Sequence, residues 1–430
     1  MEEKNSEKKE RKMRDSGDIF IGKVPENWTE VRLKYLCNIQ TGNEDTQNAN
    51  PEGKYPFYVR SPIIEKCDKF TFDGEGILVA GDGAGAGRIF HHAYGKYAVH
   101  QRVYRLSDFK YNSDFIYYFL SSIFPNEMDK GSAQSTVPSI RLPMLLNFTF
   151  YLPPADKVQL ITDFLDSKCS EIDTLIENLR ARVESSKEYK KAVITEAVTK
   201  GLDKDVKMKD SGIEWIGKIP EGWTISRLGY ECYIRARLGW KGLKAEEYVD
   251  SGYAFISAFN IQNDKLVWSP LNYITKERYD ESPEIKINVG DVLIVKDGAG
   301  AGKCARVDEL PFGETAPNSS IGVLTPYINL EYKYLSYYLL SNIFNNMVLK
   351  LLNGMGVPHL TQEILKKANV ILPPLEEQHR IADYLDSKCS EIDALLQNYE
   401  DQIATLEEYK KSLIYEYVTG KKEVSETGKC

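Results

Sequence analysis

The 430-residue chain is poor in the residues that build metal and disulfide sites. Its seven cysteines are odd in number and no two stand as CxxC. Its five histidines (His91, His92, His100, His359, His379) form no HExxH or CxxH spacing. No metal centre or disulfide framework is therefore expected, and unpaired cysteines suit a reducing cytoplasm. No apolar run approaches the roughly 20 residues that cross a bilayer, so no membrane span is expected. Met1–Arg14 is charged, without the apolar stretch of a secretory signal, and reads as a disordered tail. Catalytic signatures are missing too: there is no Walker A, no GxSxG, and no Asn/Asp-Pro-Pro-Tyr/Phe of the kind that holds a target base for methylation. Nor is there an excess of positive charge, since the chain carries −8 overall. That total is unevenly spread. Acids and bases are equal in number over residues 21–153 and again over 216–372, while acids predominate in 375–418. Two neutral globular units can still turn basic patches toward a nucleic acid.

What the chain does have is a duplication. Asp-Ser-Lys-Cys-Ser-Glu-Ile-Asp occurs at Asp166–Asp173 and again at Asp386–Asp393. Leu-Pro-Pro precedes both copies (152–154 and 372–374), and Glu-Tyr-Lys-Lys follows both (188–191 and 408–411). Upstream, the run from Asp15 to Trp28 matches that from Asp210 to Trp223, and Met13 mirrors Met208, so the repeat begins at Met13. The register offset is 195 at the start of the repeat and 220 at its end, which gives the second copy about twenty-five extra residues in its middle. Cys37 and Cys232, like Cys169 and Cys389, are repeat-equivalent and are expected as matched core positions. Constant ends around divergent middles describe one scaffold carrying two different readers.

The segments after each Leu-Pro-Pro lack proline and read as long helices over 155–200 and 375–419. Both show an apolar seam of period 3.5. In the first it runs through Leu165, Cys169, Ile172, Ile176, Leu179 and Val183, and in the second through Leu385, Cys389, Ile392, Leu396, Tyr399, Ile403 and Leu406. Seams in matching frames over about five heptads indicate a mutual coiled coil of roughly 66 Å, the alternative being two amphipathic helices on separate cores. Lys190 and Lys410 interrupt the seams at equivalent places.

The middles read as mixed, β-rich domains. Strands are expected at Gly76–Ala80, Asp291–Val295, Tyr55–Val59 and Tyr253–Ile256, and helices at Ser113–Ile123 and Glu331–Ile343. Each middle holds a glycine-rich run, Gly81–Arg88 and Asp297–Lys303. Neither has the Gly-x4-Gly-Lys-Ser/Thr of a nucleotide loop, and strand-like residues follow both. Two readings stay open: a turn that brings backbone amides and Arg88 or Lys303 to a phosphate, or a purely structural hairpin. Basic and aromatic residues mix elsewhere. The loop Arg235–Gly242 contains Arg235, Arg237, Trp240 and Lys241. The first middle offers Lys54, Tyr58, Arg60 and the run His100-Gln101-Arg102. Lys296 joins Lys303 in the second. Arginine reads guanine edges, glutamine adenine, and lysine holds phosphates, so these are the candidate DNA-binding residues.

Taken together, the chain resembles the specificity subunit of type I restriction–modification systems. The resemblance runs from Met13 to Lys422, carried by Asp210–Trp223 with its first copy, Leu372–Asp386, Lys296–Lys303 and the Arg-Leu-Gly-Trp-Lys-Gly loop. Asp18-Ile19-Phe20, opposite Ile213-Glu214-Trp215, and the Met1–Lys12 extension depart from the commonest form. The resemblance implies an α+β architecture with a pseudo-twofold internal repeat. Target-recognition domains at 15–154 and 201–374 would be separated by an antiparallel two-helix coiled coil (155–200 and 375–419), with flexible tails at 1–14 and 420–430. It implies that each domain reads half of a split, asymmetric duplex site while the helices fix the gap. Two modification subunits would methylate adenine with S-adenosylmethionine, and up to two restriction subunits would cleave with ATP and Mg. No cofactor or catalysis is expected on this chain. The rival readings are a single-chain restriction–modification enzyme, for which two readers leave no room, and a coiled-coil adaptor that binds no DNA.

Overall fold

The computed structural model describes residues 11–130, 138–236, 243, 245–352 and 359–424. The chain divides into two compact units, one made of Met1–Leu179 with Asp401–Cys430 and the other of Arg180–Glu400. The division differs from a reader–helix–reader partition. Each unit takes one half of each long helix into its own core, because a seam of a few apolar residues is buried only when a globular face also covers it.

The long helices run Ala155–Lys200 and Leu375–Val418. In the first unit Leu165, Cys169, Ile172 and Ile176 are buried with Leu413 and Tyr417, and Ile403 and Leu406 pack at the margin of the same core. Phe164 lies against Tyr417 at 4.6 Å between ring centroids. In the second unit Leu385 and Cys389 share a core with Ile194, Ala197 and Val198. Val183 and Ile392 are buried as well, whereas Leu179, Leu396 and Tyr399 are half-buried. Residues early in one helix thus meet residues late in the other, so within each unit the halves run antiparallel.

The repeated motifs find their use here. Lys410 Nζ donates to Asp173 at 2.6 and 2.7 Å in the first unit. In the second, Lys190 Nζ donates to Asp393 at 2.8 Å. The lysine of each Glu-Tyr-Lys-Lys therefore holds the last aspartate of the other copy's octapeptide. The first aspartate faces the reader: Tyr118 donates to Asp166 at 2.6 Å and Tyr337 to Asp386 at 2.7 Å. Burial, reinforced by the adjoining carboxylate, pushes both tyrosine hydroxyls well above their ordinary pKa, so they remain donors.

Each reader is built on one plan. In the first unit a four-stranded sheet runs in the order Asn38–Thr41, Val103–Ser107, Gly76–Ala80, Phe90–Ala93. Its counterpart in the second is Cys232–Arg235, Ile321–Pro326, Val292–Val295, Cys304–Arg306. Gly76–Ala80 and Val292–Val295 are central and wholly buried, hence their unbroken apolar sequence. A second sheet pairs Tyr55–Tyr58 in parallel with Lys96–Val99, as Tyr253–Ile256 pairs with Thr315–Pro317. The helix Ser113–Ile123 closes the first core. In the second unit the helical stretch breaks at Ser341 into Tyr332–Leu340 and Asn342–Leu352. Ser341 ends the first segment, and its hydroxyl accepts from the amide of Phe344. The extra residues of the second unit include the hairpin Ile261–Gln262 with Lys265–Leu266 and the helix Lys276–Asp280.

Small hairpins open each repeat: Met13–Asp15 pairs with Lys23–Pro25, and Met208–Asp210 with Lys218–Pro220. The described residues of the expected tails, 11–14 and 420–424, are tied to the first unit. Arg11 donates to the Gly420 carbonyl at 3.1 Å and pairs with Glu423, and Val424 packs on the first core. The six cysteines among the described residues are all buried and free.

Candidate nucleic-acid interface

The glycine-rich segments are turns between antiparallel strands. Gly83 and Gly87 take φ of +78° and +65°, matched by +76° and +91° at Gly298 and Gly302, a region that side-chain-bearing residues rarely enter. The same hydrogen bonds fix both turns. Gly81 N–H donates to Arg102 O as Lys296 N–H does to Ser320 O. Ile140 N–H donates to Gly81 O as Leu360 N–H does to Lys296 O. His100 N–H donates to Tyr58 O as Asn318 N–H does to Ile256 O. These bonds align the loops of the two units residue by residue. Where the first presents His100, Gln101 and Arg102, the second presents Asn318, Ser319 and Ser320.

In the first unit the loops carry a defined constellation. Arg60 donates to one oxygen of Asp82 and Arg102 to the other, both at 2.6 Å. The arginine side chains stay 39% and 63% exposed, while Asp82 beneath them is only 16% exposed. Burial opposes charge on Asp82, but the two guanidinium hydrogen bonds outweigh it and hold the carboxyl below its usual range. Gln101 donates its amide to Asp45 at 2.8 Å. Asp45 is held below the ordinary carboxylate range chiefly by the Gln47 backbone N–H, with smaller help from neighbours that include His100. His100 is buried, and its Nδ1 accepts from the Arg102 amide at 3.0 Å. Burial, with Arg60 nearby, lowers its pKa and favours the neutral ring.

The other candidates separate. Arg88 pairs with Asp129 at 2.6 Å on the surface, and exposed Lys54 lies 5.5 Å from the Tyr55 ring centre. Lys303 is exposed. Three candidates are placed in the interior rather than on a binding surface. Tyr58 is buried edge-on against Tyr97, its ring filling space between strands. Arg235 is buried and bonded to Asp291 at 2.7 Å, to the Lys286 carbonyl at 3.1 Å and to Thr325, so its fork is occupied inside the sheet. Lys296 is almost covered, and burial lowers its pKa. Arg237, Trp240 and Lys241 lie outside the described residues. Sequence reasoning missed Asp82 and Asp45. Asp82 was visible as the acid inside the glycine-rich run, with Asp297 at the matching place in the second copy, where it takes a hydrogen bond from His359. Among the described residues no group of histidines, cysteines and carboxylates could hold a metal ion. No helix there is long and apolar enough to cross a membrane.

The sequence model of the type I restriction modification DNA specificity domain matches residues 25–185 and again 220–405. The chain belongs to that family. Among its relatives is the type I restriction enzyme MjaVIII specificity subunit of Methanocaldococcus jannaschii, 25% identical over 420 residues covering 93% of this chain and 94% of that one. The EcoDI specificity subunit of Escherichia coli is 22% identical over 414 residues, covering 92% and 89%. A chain solved in work on complex assembly and conformational transition of the type I R-M system superposes with a TM-score of 0.63 at 17% identity, covering 92% of this chain and 98% of that one, which establishes the fold. Each of the two family domains spans one reader together with much of the long helix that follows it.

Proposed function

We propose that this chain is the non-catalytic DNA-recognition subunit of a cytoplasmic type I restriction–modification complex. Each unit reads one half of a bipartite, asymmetric duplex site. The paired helices fix the gap between the halves and dock two modification subunits. Those subunits bind S-adenosylmethionine and methylate adenine, and restriction subunits, where the system has them, add ATP- and Mg-dependent cleavage. One observation carries this reading: two readers share a strand order and loop hydrogen bonding, yet place Gln101 and Arg102 in one loop where the other has Ser319 and Ser320. Identical frames with different polar tips suit two different base sequences. The test replaces residues 216–371 with the corresponding domain of another specificity subunit and sequences the methylated DNA of a host that also expresses the modification partner. One half of the modified motif is expected to change while the other stays. A change in both halves, or in neither, would refute the reading.

A further inference from the structure

We infer that Arg60 and Arg102, clamped by Asp82, form the base-reading site of the first unit, that they read guanine edges in the major groove, and that Asp82 is a specificity-determining positioning residue. The inference rests on the proposal that the first unit reads duplex DNA. It concerns how that reading is done.

The argument turns on the carboxylate. A phosphate contact needs positive charge and tolerates a mobile side chain, because Coulomb attraction falls off slowly with position. An acid set between two arginines works against it, cancelling one of the two charges and repelling the DNA backbone. Reading a base has the opposite requirement. Guanine O6 and N7 accept a bidentate pair of bonds only from a guanidinium held in one orientation, and the arginine stem is otherwise free to swing. Asp82 supplies that restraint. Each of its oxygens takes a different arginine at 2.6 Å, and each guanidinium has further N–H groups to offer a base.

The platform beneath is equally fixed. Gly81 N–H to Arg102 O (2.9 Å) and Gln101 N–H to Glu44 O (2.8 Å) pin the turn, with buried His100 bonded under it. A Cβ on Gly42 would lie 2.1 Å from the Val99 carbonyl oxygen, so this approach of strand and turn requires glycine. Gln101 is restrained in the same manner by Asp45 and keeps its amide oxygen and second N–H, the pair that reads adenine. The arrangement belongs to the first unit alone among the described residues: the residue aligned with Arg102 is Ser320, and Asp297 is bonded by His359.

The test selects bound duplexes from a random library with the full chain in complex with its modification subunits, at one salt concentration. In the wild-type logo the half-site read by the first unit is expected to hold at least one guanine. Asp82→Asn keeps the shape but loosens the clamp, and Arg102→Lys keeps the charge but loses the fork. Both are expected to lower discrimination at the same guanine about tenfold or more, leaving the other half-site sharp. Non-specific binding by Asp82→Asn is expected to stay equal or rise, since a negative charge has been removed. A merely structural role would instead weaken all sequences together, and that result, or an unchanged logo in either variant, would overturn the inference. Arg102→Lys keeps the test open if Asp82→Asn does not fold. A wild-type complex with no bipartite preference would sink the recognition reading itself, and this inference with it. A bipartite preference indifferent to both variants would overturn only the inference.

Discussion

Replacing Arg235 by alanine separates a DNA contact from a core ion pair, because the two roles give opposite results. The Arg235 and Asp291 side chains are 8% and 1% exposed, so water offers the stranded carboxylate almost nothing. Asp291 would keep the Asn288 amide at 2.8 Å and the Thr325 hydroxyl, and lose its only described countercharge. Removing one partner of a buried pair costs about 3–5 kcal/mol. For a unit the size of Arg180–Glu400 that is a fall in melting temperature of roughly 6–20 °C. A two-unit chain need not melt in one step, so the readout is local. Amide hydrogen exchange is expected to accelerate in Val292–Val295 and Ile321–Pro326 and to stay unchanged in Gly76–Ala80, which belongs to the first unit. The double variant Arg235→Met with Asp291→Leu removes both charges and is expected to recover much of the loss, since apolar replacements of whole buried pairs are often neutral. An Arg235→Ala protein as stable as wild type, yet weaker for DNA, would refute this and return Arg235 to the binding surface.

Deleting Ile172–Asn178 together with Ile392–Asn398 removes one heptad from each long helix and keeps the apolar seam frame, while taking Asp173 and Asp393 away from Lys410 and Lys190; each helix shortens by roughly 10.5 Å. Selection from a library with fixed half-sites and variable gaps is expected to return a gap about three base pairs shorter at ~3.4 Å each, and recovery of the original gap by a folded, binding variant would exclude the helices as the spacer. Lys157→Glu addresses a different asymmetry: Trp223 Nε1 donates to Glu377 at 2.9 Å, whereas Trp28 Nε1 is buried without an acceptor among the described residues and Lys157 stands at the position equivalent to Glu377. Against Lys157→Ala, which loses the same lysine contacts, the substitution is expected to stabilise the first unit by about 1 kcal/mol in hydrogen exchange of its core, and equal or lower protection there would show that the glutamate does not reach the indole.

The scaffold was legible because its signals are local and doubled. Proline excluded from two long segments and an apolar period of 3.5 placed helices at 155–200 and 375–419, and they occupy Ala155–Lys200 and Leu375–Val418. Strands were found where apolar runs end in glycine turns, and Gly76–Ala80 and Ser113–Ile123 fall where expected. The candidate site was less legible, since a basic or aromatic residue looks the same in sequence whether it faces solvent or a sheet. Arg235 and Tyr58 were counted toward the surface although their partners Asp291 and Tyr97 lie 56 and 39 positions away and turn them inward. Asp82 was overlooked for the converse reason. Its glycine neighbours drew attention to the backbone, and only the strand pairing brings residues 60 and 102 to the same carboxylate. The closing of the first unit by the chain's far end was invisible for want of any local mark. Gly420 comes so near Pro25 and Trp28 that a Cβ there would lie 2.6 Å from the proline ring and 2.9 Å from the indole.

The pairing also explains why the octapeptide and the Glu-Tyr-Lys-Lys run repeat letter for letter while the readers drift apart. Asp173 is answered by Lys410, and Asp393 by Lys190, so each copy of the octapeptide depends on a lysine supplied by the other copy. A substitution in one copy therefore damages a contact that the other copy must make. Lys190 is buried and donates to Asp264 as well, at 3.2 Å, on the hairpin that, among the described residues, only the second unit has. Burial alone would lower its pKa, but the hydrogen bond and charge of the two aspartates raise it, so the lysine remains charged within the seam. No such reciprocity ties the loops. Arg102 and Ser320 occupy matched places, yet each finds its described side-chain partner in its own unit, Arg102 in Asp82 and the Ser320 hydroxyl in Asn318 at 2.6 Å. Either loop can change its chemistry without disturbing the other, which is the freedom a two-part DNA reader requires.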